Sequence, residues 1–161
     1  MKYMKTNTLV PIPEGVTVKV RSRVITVKGP LGEIQKSIRH LPIELSVVES
    51  AKKAGTKEVS VTMWFGGYRL KPRVKTCASM IKNMITGVTR GFRYKMRLVN
   101  AHFPIKPFVS DDKKSVEFKN FLGGAQSKTV IMKPGVTISL NPKLKDEVII
   151  NGIDVDYVSQ S

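Results

Sequence analysis

Acidic residues are scarce in this chain and are missing from a long stretch of it. The 161 residues include 28 Lys and Arg but only 12 Asp and Glu, which gives a formal net charge of +16. No acidic residue lies between Glu58 and Asp111. Because a surface of one sign repels itself, a folded domain tolerates it mainly where a partner of opposite sign covers it. The composition therefore favours a polyanionic partner, with nucleic acid ahead of an anionic membrane.

Cysteine, histidine and long apolar runs are also scarce, and each scarcity excludes a class of protein. The single cysteine, Cys77, excludes an internal disulfide and a multi-cysteine zinc site, and favours a reducing compartment. No apolar run approaches the roughly 18 residues of a membrane helix, and residues 1–10 lack a signal-peptide core. Only His40 and His102 could partner a nucleophilic thiol. We therefore expect no enzyme: no catalytic residue, no cofactor and no metal site.

One amphipathic helix is predicted near the middle of the chain. Pro72 suits its first turn and Gly87 suits its end. Its apolar residues recur at spacings of three and four, which makes one stripe: Val74, Cys77, Ala78, Ile81, Met84, Ile85 and Val88. Since Cys77 lies on this stripe, we expect a buried, inert thiol.

Strands are predicted on both sides of this helix, because apolar and polar residues alternate there between turn residues. Before the helix they cover residues 16–20, 24–27, 33–38, 45–48 and 59–65, with a loop at 51–57. After the helix they cover residues 92–103, 115–119, 128–132, 136–140 and 147–150, with turns that include Asn151-Gly152.

Two short motifs recur along the chain. Residues 27–35 and 118–126 share the pattern apolar-Lys-x-x-Leu-Gly-x-x-Gln, and residues 15–18 resemble residues 135–138. The recurrence predicts an α+β fold of two tandem similar modules, each an antiparallel β-sheet with a helix packed on it. We expect the first module to cover residues 1–87 and the second to cover residues 88–161.

The strand after the predicted boundary separates its side chains by chemistry. Alternation places Phe92, Tyr94, Met96 and Leu98 on one face and Arg93, Lys95 and Arg97 on the other. We expect the apolar face to join the core and the cations to face outward. Four other aromatic residues could stack on nucleic-acid bases: Trp64, Phe65, Tyr68 and Phe121. Because aromatic residues of small α+β domains usually lie in the core, we expect the core for Trp64.

Residues 83–97, with the sequence N-M-I-T-G-V-T-R-G-F-R-Y-K-M-R, carry a specific resemblance to a known family. They resemble the universal L-six family of large-ribosomal-subunit proteins, called L-nine in eukaryotes. Further motifs of the eukaryotic and archaeal branch follow in the family's order: V-K-G-P at 27–30, A-H-F-P-I at 101–105, N-F-L-G at 120–123 and K-P-G-V at 133–136. The resemblance runs from about Pro11 to Ser159.

This resemblance implies a structural RNA-binding protein of the cytoplasmic large ribosomal subunit, built from two tandem α+β modules. It implies binding to large-subunit rRNA near the base of the lateral stalk, with the second module close to the sarcin–ricin loop. The implied partners are that rRNA, neighbouring ribosomal proteins and nearby translation factors, with no membrane and no small-molecule substrate. Family members usually continue beyond the position of Ser161, so we expect a truncated second module without its helix.

Thirteen residues are the candidate contacts to rRNA. They are Arg69, Lys71, Arg73, Lys75, Arg90, Arg93, Lys95, Arg97, Lys106, Lys119, Asn120, Lys128 and Lys133. Dispersed cations of this kind predict many phosphate contacts and few base contacts. The residues by themselves leave one alternative open, a protein–protein adaptor whose basic face docks an acidic partner.

Overall fold

The computed structural model describes residues 2–49, 55–144 and 146–161. The chain divides into two compact units, Met1–Arg90 and Gly91–Ser161, which we call unit 1 and unit 2. Every strand pair of the described residues is antiparallel, and one long helix accompanies the sheets. The predicted α+β class is therefore confirmed.

Unit 1 consists of two three-stranded sheets and a long helix. Its elements in chain order are β1 (Lys2–Pro11), β2 (Thr17–Arg21), β3 (Val24–Gly29), β4 (Gly32–Ser37), β5 (Glu44–Glu49), β6 (Lys57–Gly67) and α1 (Lys71–Thr89). One sheet has the order β1-β6-β5 and the other the order β2-β3-β4. Helix α1 contacts β1 and β6 of the first sheet and β3 and β4 of the second. The apolar stripe of α1 is thereby shared between two sheets.

The core of unit 1 follows the predicted periodicities. All seven apolar residues of the helix stripe are buried, Cys77 among them. On the central strand β6, Val59, Val61 and Met63 are buried on one face, as period-two alternation requires. The buried polar side chains Ser60 and Thr62 of the opposite face share hydrogen bonds with Asn7.

Helix α1 ends later than the sequence indicated. Gly87 is a buried residue inside the helix, which runs on to Thr89. The residue with positive φ that follows the helix is Gly91, at 73°, the conformation that commonly ends an α-helix. The boundary predicted after residue 87 therefore lies inside α1, and unit 2 begins at Gly91.

Unit 2 also consists of two three-stranded sheets. Its elements are β7 (Phe92–Arg97), β8 (Lys106–Val109), β9 (Ser115–Lys119), a 3-10 turn (Phe121–Gly123), β10 (Lys128–Ile131), β11 (Val136–Leu140), β12 (Glu147–Gly152) and α2 (Val155–Gln160). The sheets have the orders β10-β9-β8 and β11-β12-β7. Their buried residues form one cluster: Val116, Met132, Val136, Ile138, Val148, Ile150 and Val158.

The two units repeat one topology. The order β1-β6-β5 corresponds to β7-β12-β11, and the order β2-β3-β4 corresponds to β8-β9-β10. The motif shared by residues 27–35 and 118–126 begins in the equivalent strands β3 and β9. The second motif is misleading, because residues 15–18 enter β2 whereas residues 135–138 enter β11, which corresponds to β5. Helix α2 has six residues against nineteen in α1, so the described residues contain no long second helix, as expected.

Three elements were not predicted from the sequence, namely β1, β8 and α2. Strand β1 has a polar sequence, and its partner β6 supplies the backbone hydrogen bonds that define it. The strand predicted at residues 92–103 ends at Arg97, and Asn151-Gly152 belongs to β12 rather than to a turn. Of the loop predicted at 51–57, residues 51–54 lie outside the described residues and Lys57 begins β6.

The packing of α1 on the β3–β4 turn predicts a severe effect of one small substitution. A Cβ added at Gly29 would lie 2.6 Å from Val88 Cγ2 and 2.9 Å from the Val88 carbonyl oxygen, which accepts a hydrogen bond from Leu31 N. We expect Gly29→Ala to lower the free energy of unfolding by about 1–3 kcal/mol through overpacking. Urea unfolding measures this.

Gly67→Ala is the matched control for this substitution. A Cβ at Gly67 would meet no atom of the described residues within 4 Å, so its cost should stay within about 0.5 kcal/mol. Equal costs for the two substitutions would contradict the close packing of Gly29 on Val88.

Candidate nucleic-acid interface

Twelve of the thirteen candidate residues have exposed side chains, and Asn120 is half-buried. Four lie at the start of α1 or just before it, namely Arg69, Lys71, Arg73 and Lys75. Arg90 caps the C-terminal end of the same helix. The other eight belong to unit 2. Each unit therefore has a basic surface of its own.

A groove between α1 and the free edge of β1 brings several helix cations together in unit 1. Its volume is about 550 Å³, and Thr6, Asn7 and Thr8 form the strand side. Lys71, Lys75 and Lys82 lie along the helix side. Lys82 was not among the candidate residues, although helical periodicity places it near Lys71 and Lys75. Three ammonium groups along one groove suit successive phosphates of a polyanion.

The cations at the start of α1 stand where they weaken the helix. The first turn contains Lys71 and Arg73 and no acidic residue, and no side chain caps the N-terminus. Because the N-terminus of a helix carries a partial positive charge, each nearby cation costs about 0.3–1 kcal/mol. A sequence shaped by stability alone would place acids here, so these cations are candidates for contact with an anion.

The aromatic residues at the end of β6 are exposed, and the prediction of a core position for Trp64 is wrong. Trp64 is 52% exposed, Phe65 is 68% exposed and Tyr68 is 79% exposed. Trp64 lies on the face of β6 opposite Met63, where its Nε1 donates a hydrogen bond to Glu44 Oε2 at 2.7 Å. The ammonium group of Lys5 lies 5.1 Å from the centre of the Trp64 ring. The sequence did indicate an exposed Trp64, because strand alternation places it on the face opposite Val59, Val61 and Met63.

A second basic depression in unit 1 lies on the outer face of the β2-β3-β4 sheet. Lys19, Arg21 and Arg39 line it together with Thr26 and Gln35. Sequence reasoning missed these cations because they lie outside the acid-free stretch. The alternation of Lys19 and Arg21 with Val18 and Val20 would have indicated that these two cations face outward.

Strand β7 places its three cations on one face, as the alternation predicted. Arg93, Lys95 and Arg97 are all exposed, and Arg93 Nε donates a hydrogen bond to Asn151 Oδ1 at 3.1 Å.

The opposite face of β7 joins the core only at its ends. Phe92 and Leu98 pack against the core cluster of unit 2, whereas Tyr94 is 37% exposed and Met96 is 47% exposed. The expectation that all four apolar residues would be core is therefore wrong for the middle pair. The physical reason is that β7 is an edge strand and α2 is only six residues long.

Two further candidates lie directly opposite one another in unit 2. Lys106 of β8 and Lys119 of β9 are cross-strand partners, and like charges in this arrangement destabilise a sheet. Lys119 is partly compensated, because its Nζ lies 3.7 Å from Glu117 Oε2 and 4.8 Å from the centre of the Phe108 ring. Such a pair is tolerated most readily where an anion bridges both ammonium groups.

Lys128 and Lys133 belong to a second acid-free stretch, which the sequence reasoning overlooked. No Asp or Glu occurs from residue 118 to residue 145. Lys128 Nζ lies 4.9 Å from the centre of the Phe121 ring. Asn120 has a structural role that the lysines do not have. Its Nδ2 donates a hydrogen bond to the Pro104 carbonyl oxygen at 3.0 Å and so holds the loop that begins at Asn120.

The described residues contain no group of three or more His, Cys, Asp or Glu that could hold a metal ion. Within the described ranges, no helix is both long and apolar enough to cross a bilayer. Burial raises the pKa of the Cys77 thiol to about 11, from an ordinary value of 9.0. A thiol with this pKa is almost entirely protonated at neutral pH and is a poor nucleophile.

The duplicated α+β topology and the exposed cations on both units are typical of one class: a structural protein that binds a polyanion. Comparison with known proteins identifies the family. Residues 12–91 match the family model described as ribosomal protein L6.

Three relatives match nearly the whole chain. The uL6A protein of the large ribosomal subunit of Saccharomyces cerevisiae is 38% identical over 163 residues, which cover 100% of this chain and 82% of the relative. Its counterpart in Schizosaccharomyces pombe is 42% identical over 150 residues, 93% of this chain and 75% of the relative. The uL6 protein of the archaeon Ignicoccus hospitalis is 40% identical over 161 residues, 99% and 82% of the two chains. The chain belongs to the ribosomal protein L6 family, a family of structural ribosomal proteins rather than enzymes.

The raised pKa of Cys77 predicts a pH dependence of stability. The Cys77 thiol ionises near pH 9 in the unfolded chain and only near pH 11 in the folded protein. The contribution of the neutral thiol to the free energy of unfolding is therefore complete below pH 9 and is lost between pH 9 and pH 11. Wild-type protein should lose about 2 kcal/mol more than Cys77→Ala across this window. Urea unfolding at pH 8 and pH 11 measures it.

At pH 7 the same substitution should cost about 1 kcal/mol and leave RNA binding unchanged. An identical pH dependence of the two proteins would show that the thiol is not buried.

Proposed function

We propose that this protein is a structural constituent of the cytoplasmic large ribosomal subunit and that it binds large-subunit rRNA through the basic surfaces of both units. The relatives named above are large-subunit ribosomal proteins, and they cover most of this chain. In this role the protein performs no reaction. Its contribution to translation is to hold rRNA, with neighbouring ribosomal proteins as further partners.

One observation carries the proposal: the cations stand where they lower the stability of the free protein. Lys71 and Arg73 oppose the dipole of α1, and Lys106 opposes Lys119 across two strands. Phosphates would turn each of these costs into an attraction. Counterion release from the rRNA would then supply most of the binding free energy.

The finer location within the subunit rests on the family resemblance of residues 83–97 and 120–123. We propose that the chain lies near the base of the lateral stalk and that unit 2 lies close to the sarcin–ricin loop. Translation factors would dock nearby. The exposed cations of β7, β8 and β9 in unit 2 support this proposal because the loop is a polyanion.

The test compares three triple substitutions to Gln by salt titration of binding to deproteinised large-subunit rRNA. The first set replaces the β7 cations Arg93, Lys95 and Arg97, and the second replaces the groove lysines Lys71, Lys75 and Lys82. Each set should lower the slope of log affinity against log salt by up to about three, because each cation neutralises one phosphate. Both variants should melt within a few degrees of the wild type, since exposed substitutions usually cost within about 0.5 kcal/mol each.

The matched control replaces Lys113, Lys114 and Lys143, three exposed lysines of unit 2 outside the candidate set, and should leave most of the slope intact. A flat salt response of the wild type would refute rRNA binding through phosphates. Affinity for an acidic protein partner without preference for rRNA would support the adaptor alternative. An unchanged slope in a folded β7 variant would remove that strand from the interface.

A further inference from the structure

A short loop of unit 2, residues 120–123, holds apolar side chains in solvent. Phe121 is 40% exposed and Leu122 is 79% exposed. Leu122 has a φ of 53° and Asn120 a φ of 60°, a left-handed conformation that leucine rarely adopts. Strained backbone persists only where surrounding contacts hold it, and it concentrates at binding sites.

Two hydrogen bonds and one aromatic contact hold this loop in its conformation. Asn120 Nδ2 donates a hydrogen bond to the Pro104 carbonyl oxygen at 3.0 Å, and Gly124 N donates one to the Phe121 carbonyl oxygen at 3.0 Å. The ring of Phe103 packs on Gly123, where an added Cβ would lie only 3.1 Å from the ring. The loop is therefore braced before any ligand arrives, which lowers the cost of binding one.

Phe121 forms one wall of a small cavity of about 220 Å³. Leu98, Ile105 and Phe118 complete its apolar lining, and among the described residues Lys128 is the charged residue that borders it. Lys128 Nζ lies 4.9 Å from the centre of the Phe121 ring. Since pockets for drug-sized ligands span roughly 300–1,000 Å³, this cavity suits a single ring. An aromatic wall beside a cation suits a ring that is joined to an anion, as a nucleobase is joined to its phosphate.

The surrounding charge favours a nucleobase over an apolar side chain of a protein. No acidic residue occurs from residue 118 to residue 145. Lys128 is the cross-strand partner of Phe118 and shares its face of the sheet, whereas Lys106 and Lys119 lie on the other face. An apolar protein side chain would gain nothing from the Lys128 ammonium group, whereas an RNA strand that supplies the base also supplies a phosphate for it.

We propose that Phe121 and this cavity capture one unpaired base of RNA, with Lys128 contacting its phosphate. The proposal rests on the rRNA-binding function proposed above and adds base recognition to it. Phosphate contacts fix the position of the protein, whereas a captured base makes binding depend on a single-stranded site in the folded RNA.

The chain offers a matched pair of aromatic residues for the test. Phe108 is 49% exposed and has Lys119 Nζ at 4.8 Å from its ring centre, but it does not line the cavity. Phe121→Ala should weaken binding to deproteinised large-subunit rRNA about tenfold, because stacking on one base is lost. The salt slope should stay unchanged, since no charge is removed. Phe108→Ala should stay within about twofold of the wild type.

Footprinting of the same complexes with dimethyl sulfate, which modifies adenine and cytosine, and with a carbodiimide, which modifies uracil and guanine, identifies the captured base. The wild type and Phe108→Ala should protect at least one unpaired base that Phe121→Ala leaves reactive. Equal affinities of the two variants, or identical footprints, would overturn base capture while the proposed rRNA binding stands. A flat salt response of the wild type would instead overturn rRNA binding itself.

A cavity-filling variant keeps the proposal testable if Phe121→Ala fails to fold. Ile105→Phe places a ring in the cavity, removes no cation and leaves Phe121 in place. It should lose the same base protection with the same salt slope. Retained protection in a folded Ile105→Phe protein would show that no base enters the cavity.

Discussion

Repulsion between like charges acts across much of this molecule, and apolar packing has to hold the fold against it. The net charge is +16, and the described ion pairs include Lys28 with Glu33 at 2.9 Å and Lys119 with Glu117 at 3.7 Å, both exposed. Exposed pairs of this kind contribute about 0–1 kcal/mol each. The buried stripe of α1 and the core cluster of unit 2 therefore have to supply the stability. A polyanion that binds only the folded state adds to it by mass action.

The duplicated topology gives both units an apolar core that opposes this charge repulsion, but the helix that covers the core is much shorter in unit 2. In each unit a central strand, β6 or β12, lies between two antiparallel neighbours and presents one apolar face to the core. Helix α1 covers that face in unit 1 with nineteen residues, whereas α2 covers it in unit 2 with six. Tyr94 and Met96 stay partly exposed as a result. The cations of β7 keep their outward face in spite of this, because strand alternation does not depend on how well the other face is covered.

Strong local periodicity was predicted correctly, and elements that depend on a partner strand were not. The helix stripe from Val74 to Val88 is buried as its spacing required, and β9 and β11 have the predicted bounds. Strand β1 was not predicted because its sequence is polar and it becomes a strand by pairing with β6, whose partner residues lie 47 or more positions away. Trp64 was assigned to the core on residue type, although the alternation of β6 turns it to solvent.

The sequence by itself determined the charge, the α+β class, the buried face of α1 and the family, because composition, periodicity and contiguous motifs are properties of the covalent chain. The tertiary structure alone decided which distant residues meet. It set Lys106 opposite Lys119, gathered three lysines of α1 beside β1, and placed Phe121 against Leu98 and Ile105 in one cavity. These contacts depend on strand register and on loop conformation. A shift of one residue in strand register would turn the side chains of that strand to the opposite face of the sheet. A local sequence pattern does not determine the register or the loop conformation, because the packing of the completed fold selects both.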